Sequence, residues 1–270
     1  MSAVSHGAAL PVLRRWLSEG WRGLIGWSAG LAAIVFMYLP LFPSMKTPEM
    51  AGLLDSLPPE LVKTLGYNSI ATGTGYTQAT LFGLTGFFIL TIAGVAWGAA
   101  YTGGAEESGR LELTLAHGVG RVQYALESAA ALLVKLLVLG AMAFIFVLAV
   151  NTPAALELAV ENLLAVTASW VGLGLFTASA AFAVGAATGR RSWAIGAGAG
   201  IAVGGYVLQA VANNNADLDW LRLLSPYAWA YAHTPLTDGF DWAGLAALWG
   251  GSALLIAIAT VALSRRDILG

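Results

Sequence analysis

The sequence predicts an all-α polytopic membrane protein: six transmembrane helices in one domain spanning residues 1–270. Three observations lead there. Hydrophobic residues make up 58% of the chain and charged residues 10%, with a mean hydropathy of +0.74; a soluble domain carries about 25% charged residues. Six runs, at 23–42, 80–101, 129–150, 163–187, 193–212 and 243–263, reach the roughly 20 apolar residues that a helix needs to cross a bilayer. With the N-terminus inside, Arg14, Arg15, Arg22, Arg110, Arg121, Arg190, Arg191, Arg265 and Arg266 fall on one side of these runs, against Lys46, Lys63 and Arg222 on the other. That asymmetry follows the positive-inside rule and places both termini in the cytoplasm.

Residues 1–10 lack a basic residue ahead of an apolar core, unlike a secretory signal. Residues 11–22, PVLRRWLSEGWR, are amphipathic: Leu13, Trp16, Leu17 and Trp21 share helical spacing while Arg14, Arg15, Ser18 and Glu19 project elsewhere. The pattern predicts an N-terminal interfacial helix lying among lipid headgroups. The alternative is a positive flank to span one. Gly26 and Gly30 in span one, Gly94 and Gly98 in span two, and Gly196, Gly200 and Gly204 in span five recur at four-residue spacing. In lipid, such seams favour close helix contacts, within a subunit or between two.

Three loops fall outside, at 43–79, 151–162 and 213–242. The first holds LPPELVKTLGY, whose prolines precede a helical pattern and predict a small external helix. In the third, Leu221, Leu223 and Leu224 stop at Ser225-Pro226, and Tyr227, Trp229 and Tyr231 follow. This predicts an external re-entrant segment, which is tolerated at membrane depth only where protein or water covers it. The alternative is an aromatic belt anchoring span six.

Several chemistries are excluded. The chain has no cysteine, which removes disulfides, zinc–thiolate sites and thiol nucleophiles. His6, His117 and His233 lie far apart, and no metal-ligand cluster, HExxH pattern or nucleophile elbow is present. None of Lys46, Lys63 and Lys135 follows a glycine, so a phosphate loop is absent and the chain is no ATPase by that route. A net charge of −2 without a polybasic run excludes nucleic acid as an expected partner. Ion-coupled transport normally needs ionisable groups inside the membrane. Here Lys135 stands nearly alone, and its place early in span three reads as snorkelling to the interface. Uncharged Gln78, Gln209, Ser169, Thr177 and Ser179 remain for a pathway. A transporter built this way must take its energy from a partner.

Residues 101–128, YTGGAEESGRLELTLAHGVGRVQYALES, form the longest polar stretch carrying both signs of charge. Glu106 and Glu107 suit a helix N-terminus, with an expected Glu106–Arg110 pair at i,i+4. The alternation of Leu111, Leu113 and Leu115 also fits a strand, but an isolated five-residue strand would have no partner, so a helix is expected. Gly118 and Gly120 then break it, and Arg121 opens the third span with Val122, Ala125, Leu126 and Ala129 on one face. A docking lever and a solvated loop both fit this pattern.

Residues 105–121 resemble the segment after the second span in type-2 permeases (ABC-2) of ATP-binding-cassette (ABC) exporters, through Glu106, Glu107, Gly109, Leu111, Glu112 and Arg121. LPPELVKTLGY before span two, LSPYAWAYAHTPLTDGFDW before span six and the terminal SRRDI are similar to that family too. The turn Gly118-Val119-Gly120-Arg121 departs from it, since a proline and a serine are usual there. The resemblance implies two paired permeases, homo- or heterodimeric, in membrane lipid. Each would engage a separate ABC ATPase subunit that holds ATP and Mg, while this chain binds no cofactor. Residues 106–117 would be the cytoplasmic coupling helix, with Glu106, Glu107, Gly109, Arg110, Leu111, Glu112, His117 and Arg121 in the ATPase-coupling surface beside the N-terminal helix. Spans two and five would line the pathway, making Thr91, Trp97 and Gln209 candidate lining residues, and the re-entrant segment would be the outer gate. The implied activity is ATP-driven export of hydrophobic small molecules (drugs, antibiotics or lipids) across the cytoplasmic membrane. The alternatives are a secondary transporter or channel of another fold, and a non-transporting component of an ABC system.

Overall fold

A computed structural model describes residues 10–45 and 70–267. Among them, six helices are long and apolar enough to cross a membrane. The external helix expected at LPPELVKTLGY lies outside the described residues.

Span one is helix α1, Pro11–Tyr38, prolonged by a 3-10 turn at Leu39–Leu41 and a short helix α2, Phe42–Met45. Its 28 residues measure about 42 Å, roughly 12 Å more than the hydrocarbon layer. The excess is the amphipathic stretch itself. Expected as a separate interfacial helix, residues 11–22 are instead continuous with span one. The Glu127 carboxylate explains the start, since it accepts from the backbone N–H of Val12 (2.7 Å) and Leu13 (3.0 Å) and so satisfies the first turn.

Span two begins at Gly73, seven residues before the expected boundary. It runs as α3 (Gly73–Thr77), a π-wound segment (Gln78–Thr85) and α4 (Gly86–Tyr101). A Cβ at Gly83 would sit 2.9 Å from the Gln78 carbonyl, and one at Gly86 2.6 Å from that of Leu81, each five residues back. Two glycines thus leave room for the wide turn. The two short helices that follow, α5 (Gly103–Glu107) and α6 (Arg110–Ala116), lead into span three, α7, Arg121–Asn151.

Span four, α8 (Val160–Thr188), is the central post: its most apolar window is 78% buried against 17% for span one. Span five is α9, Arg191–Asn214. Glycine sets the close approaches, as the spacing of Gly94 and Gly98 predicts: a Cβ at Gly94 would lie 3.1 Å from that of Ala178, and one at Gly98 would overlap the Ala178 carbonyl. The α9 seam behaves differently. Nothing described comes within 4 Å of a Cβ placed at Gly196, Gly200 or Gly204, and Val203 and Val207 beside them are exposed.

Beyond α9 the chain forms a 3-10 stretch (Ala216–Leu224), then α10 (Pro226–Tyr231), α11 (Pro235–Asp238) and span six, α12 (Trp242–Arg265). The segment folds back along the bundle. Ser225 Oγ donates to the Gly205 carbonyl (2.6 Å), nine residues, or about 14 Å, back from the end of α9. Pro226, Ala228, Ala230 and Tyr231 are buried where α10 packs against α8, α9 and α12. Tyr227 and Tyr231 donate to the carbonyls of Gly83 (2.8 Å) and Phe82 (3.0 Å) in the π-wound turn, so the irregular backbone on both sides is covered by protein.

Candidate docking site at the polar end

Both ends of the described chain meet residues 106–127 at one end of the bundle. Val12 reaches Glu127 there, and Arg266 reaches Glu106 and Arg121. The linker is two short helices where a single one over 106–117 was expected. Ser108 Oγ bonds back to the Gly104 carbonyl (2.7 Å), Gly109 turns in the left-handed region at φ +69°, and α6 starts at Arg110. The end matches expectation: Gly118 adopts φ +85°, Gly120 is extended, and α7 opens at Arg121.

The break redirects the charges. The expected Glu106–Arg110 pair does not form, because the turn at Gly109 swings Arg110 round so that its Nε donates to Ser108 Oγ (3.0 Å). Glu106 pairs instead with Arg266, just past α12, and Arg121 Nη1 donates to the Arg266 carbonyl (2.6 Å). Glu107 Oε1 accepts from the backbone N–H of Arg191 (2.8 Å), satisfying the start of α9. Gly189, in the turn between α8 and α9, has no room for a side chain, since a Cβ would overlap the Glu106 carboxylate and lie 2.6 Å from Arg266 Nη1. The acidic pair therefore fastens α5 to the polar ends of spans five and six, and Arg121 of span three ties to the same Arg266.

Helix α6 is left to present a surface. Leu111 is wholly buried and pins it, whereas Leu113 is 56% exposed. Arg110 and His117 are exposed, with His117 Nδ1 2.6 Å from the Leu113 carbonyl. Glu112 is half-buried, its Oε2 having no hydrogen-bond partner. Between α6, α1 and the start of α7 lies a cavity of about 450 Å³, lined by Val12, Arg15, Arg110, Leu113, His117 and Tyr124 among others. Its wall combines apolar surface with two guanidinium groups and no carboxylate. That lining suits an apolar or aromatic side chain flanked by negative charge.

Beneath the cavity, Trp16 is buried, donates from Nε1 to Ser128 Oγ (3.0 Å) and stacks on Tyr101 at 4.3 Å. Tyr124 donates to the Tyr101 carbonyl (2.8 Å). Lys135, expected to snorkel, is instead 2% exposed: its Nζ donates to the Tyr101 hydroxyl (2.6 Å) and lies 5.2 Å from the ring centres of both Trp97 and Tyr101. Aromatic faces and a phenol oxygen hold the ammonium in place of interfacial water. Sequence reasoning missed Tyr101, Tyr124, Glu127 and Ser128 as members of this region. A signal existed, since Tyr124, Ser128 and Lys135 share helical spacing on a helix that is mainly apolar beyond its first turns.

The three pathway candidates do not converge on one site. Thr91 is buried with its hydroxyl unpartnered, and Trp97, six residues or about 9 Å further along α4, belongs to the Lys135 cluster. Gln209, beyond Gly205 on α9, donates to Asn213 Oδ1 (3.1 Å) while its Oε1 stays buried and unpartnered.

The family model described as ABC-2 family transporter protein matches residues 11–268. Among curated proteins, none matches the chain.

Proposed function

The chain belongs to the ABC-2 transporter family, a membrane component of ABC systems that works with an ABC ATPase subunit, and from that premise we propose that it is the permease subunit of an ATP-driven exporter of hydrophobic small molecules. The observation that carries this reading is the polar end. A seven-residue helix with an exposed Leu113 follows directly on α5, whose acidic pair is held by charge-assisted contacts to the ends of spans five and six, and no phosphate loop is present anywhere in the sequence. Such a helix suits the seat of a soluble ATPase, whose motion it would pass to the spans as a rigid body. ATP and Mg would be bound by that subunit.

The substrate class follows from what the interior offers. The buried unpartnered atoms of Thr91, Ser179 and Gln209 are hydrogen-bonding but uncharged, and Lys135 is engaged by aromatic groups. An interior of this kind accepts a drug-like or lipid-like molecule more readily than an ion. The open seam at Gly196, Gly200 and Gly204 supports pairing with a second permease, whose small residues would close on it. The arginine distribution supports a cytoplasmic polar end in the cytoplasmic membrane.

Reconstitution tests the proposal. Vesicles containing the chain and its co-purified ATPase should move a lipophilic fluorescent dye only when ATP is supplied. Dye movement by the permease alone, without ATPase, overturns the reading in favour of a secondary transporter or channel.

A further inference from the structure

From the docking helix to the middle of the polar half of span two, five side chains form one column. Arg110 of α6 lies over the Trp16 ring at 5.8 Å, and Trp16 stacks on Tyr101 at 4.3 Å with 26° between planes. Tyr101 accepts a hydrogen bond from Lys135 (2.6 Å), and Lys135 lies over Trp97 at 5.2 Å. Two cations bracket a stacked pair of rings, a third ring follows the second cation, and four separate helices contribute: α6, α1, α4 and α7.

Lys135 is costly where it stands. It is 2% exposed on a helix long and apolar enough to cross a membrane, and no carboxylate among the described residues pairs with it. A lysine at this depth serving only to anchor the helix would reach for the interface. Here the packing prevents that. Gly20 on α1 has no room for a side chain because a Cβ would overlap the Lys135 ammonium, so α1 is cut away at the point where the charge sits. Trp16, one helical turn earlier, supports the ring to which that ammonium is bonded. Hydrogen bonds support the stack: the Trp16 ring N–H donates to Ser128 Oγ, and the Tyr124 hydroxyl donates to the backbone carbonyl of Tyr101.

We propose that Lys135 is a positioning residue, the keystone of an Arg110–Trp16–Tyr101–Lys135–Trp97 column that carries displacement of the docking helix into span two. The proposal rests on the permease reading given above. A column of this kind has two discrete arrangements, with the ammonium seated between Trp97 and Tyr101 or withdrawn, and a moving Arg110 biases one against the other. Because buried Lys135 is held by ring faces and a phenol oxygen, losing its charge alone breaks the chain of contacts without opening a large void.

The test uses the full chain with its co-purified ATPase. The protein has no native cysteine, so Gln78→Cys at the outer end of span two gives a single thiol. In the otherwise native protein, ATP should change the rate at which this thiol reacts with an impermeant maleimide. Adding Lys135→Met, which keeps side-chain length, should leave ATPase co-purification and ATP turnover in place. It should reduce the ATP-dependent change about tenfold, the factor that one desolvated cation–ring contact or charge-assisted hydrogen bond carries. An unchanged ATP response in that variant overturns the proposal, as does a native background in which ATP leaves the introduced thiol unaffected. If Lys135→Met fails to insert, Tyr101→Phe makes the same cut at the hydroxyl with the same expected outcome.

A second arm needs no ATPase and so separates this inference from the permease reading. Arg110→Gln and Lys135→Met alter residues separated in the column by two stacked rings, and their effects on Tm in detergent should be non-additive; distant, independent sites add. Additivity overturns the column. Failure of any ATPase to co-purify with the native chain, with non-additivity retained, overturns the permease reading alone.

Discussion

The two ends of the helix bundle are fastened by different chemistry. At the polar end the ties carry charge: Glu106 with Arg266, Arg121 with the Arg266 carbonyl, Glu107 with the start of α9, Glu127 with the start of α1, and Lys135 among rings. At the other end the ties onto the π-wound turn and onto α9 at Gly205 are neutral, the hydroxyls of Tyr227, Tyr231 and Ser225 resting on backbone carbonyls. The charged contacts there, Arg222 with Asp219 and Asn213 and His233 near Asp241, lie outside that packing. Charge-assisted bonds are about twice as strong as neutral ones and leave an expensive orphan when broken. The polar end is thus built to move as one piece, and the re-entrant end to be remade at modest cost. On the proposed reading, the first would be the force-receiving face and the second a gate.

Breaking the polar end should have the largest effect. Glu106→Arg places a third guanidinium beside Arg121 and Arg266 in a half-buried setting, and should cost about 3 kcal/mol, read as a lowered Tm in detergent. Combining it with Arg266→Glu should restore most of the loss; no recovery would mean that the pair is incidental. The same variant should release the ATPase, through a loosened α5 and not through a lost surface contact. Leu113→Asp tests the surface itself and should weaken ATPase co-purification while leaving Tm near the native value.

At the re-entrant end the effects should be smaller. Tyr227→Phe and Tyr231→Phe each remove one neutral hydrogen bond and should cost about 1 kcal/mol. Gly83→Ala should cost more than either, since its Cβ would crowd both the Gln78 carbonyl and the Tyr227 hydroxyl. A loss of about 3 kcal/mol from either tyrosine, the scale of a broken buried charge pair, would erase the contrast between the two ends. The smallest perturbation reports orientation: Ser192→Cys, at the start of α9, should resist an impermeant thiol reagent in sealed cells. Ready labelling would place the polar end outside.

The contrast also explains what could be read from the chain before its fold. Spans were legible because about twenty apolar residues in a row are a local signal, and helix α6 was legible because Gly118 and Gly120 bound it. The ties were not, because they join residues 160 apart, as in Arg266 with Glu106, or 115 apart, as in Val12 with Glu127. The Glu106–Arg110 pair is a sound local expectation that fails because Gly109 breaks the helix. Lys135 eludes a sequence reading for a similar reason. A lysine near the end of a span either snorkels or is caged, and the cage is made by Trp97 and Tyr101, four residues apart on a different helix. The π-wound turn was hidden because its cause, glycine at 83 and 86, looks like ordinary small-residue packing.

The central claim is that the ATPase sits on the polar end, against α6. Leu113 and Leu224 are almost equally exposed, at 56% and 58%, one on α6 and the other at the end of the 3-10 stretch before α10. A single cysteine placed at either position and treated with a short bifunctional thiol–amine cross-linker gives the direct comparison. The account predicts a covalent permease–ATPase adduct from Leu113→Cys and none from Leu224→Cys. An adduct from Leu224→Cys, with none from Leu113→Cys, would contradict it.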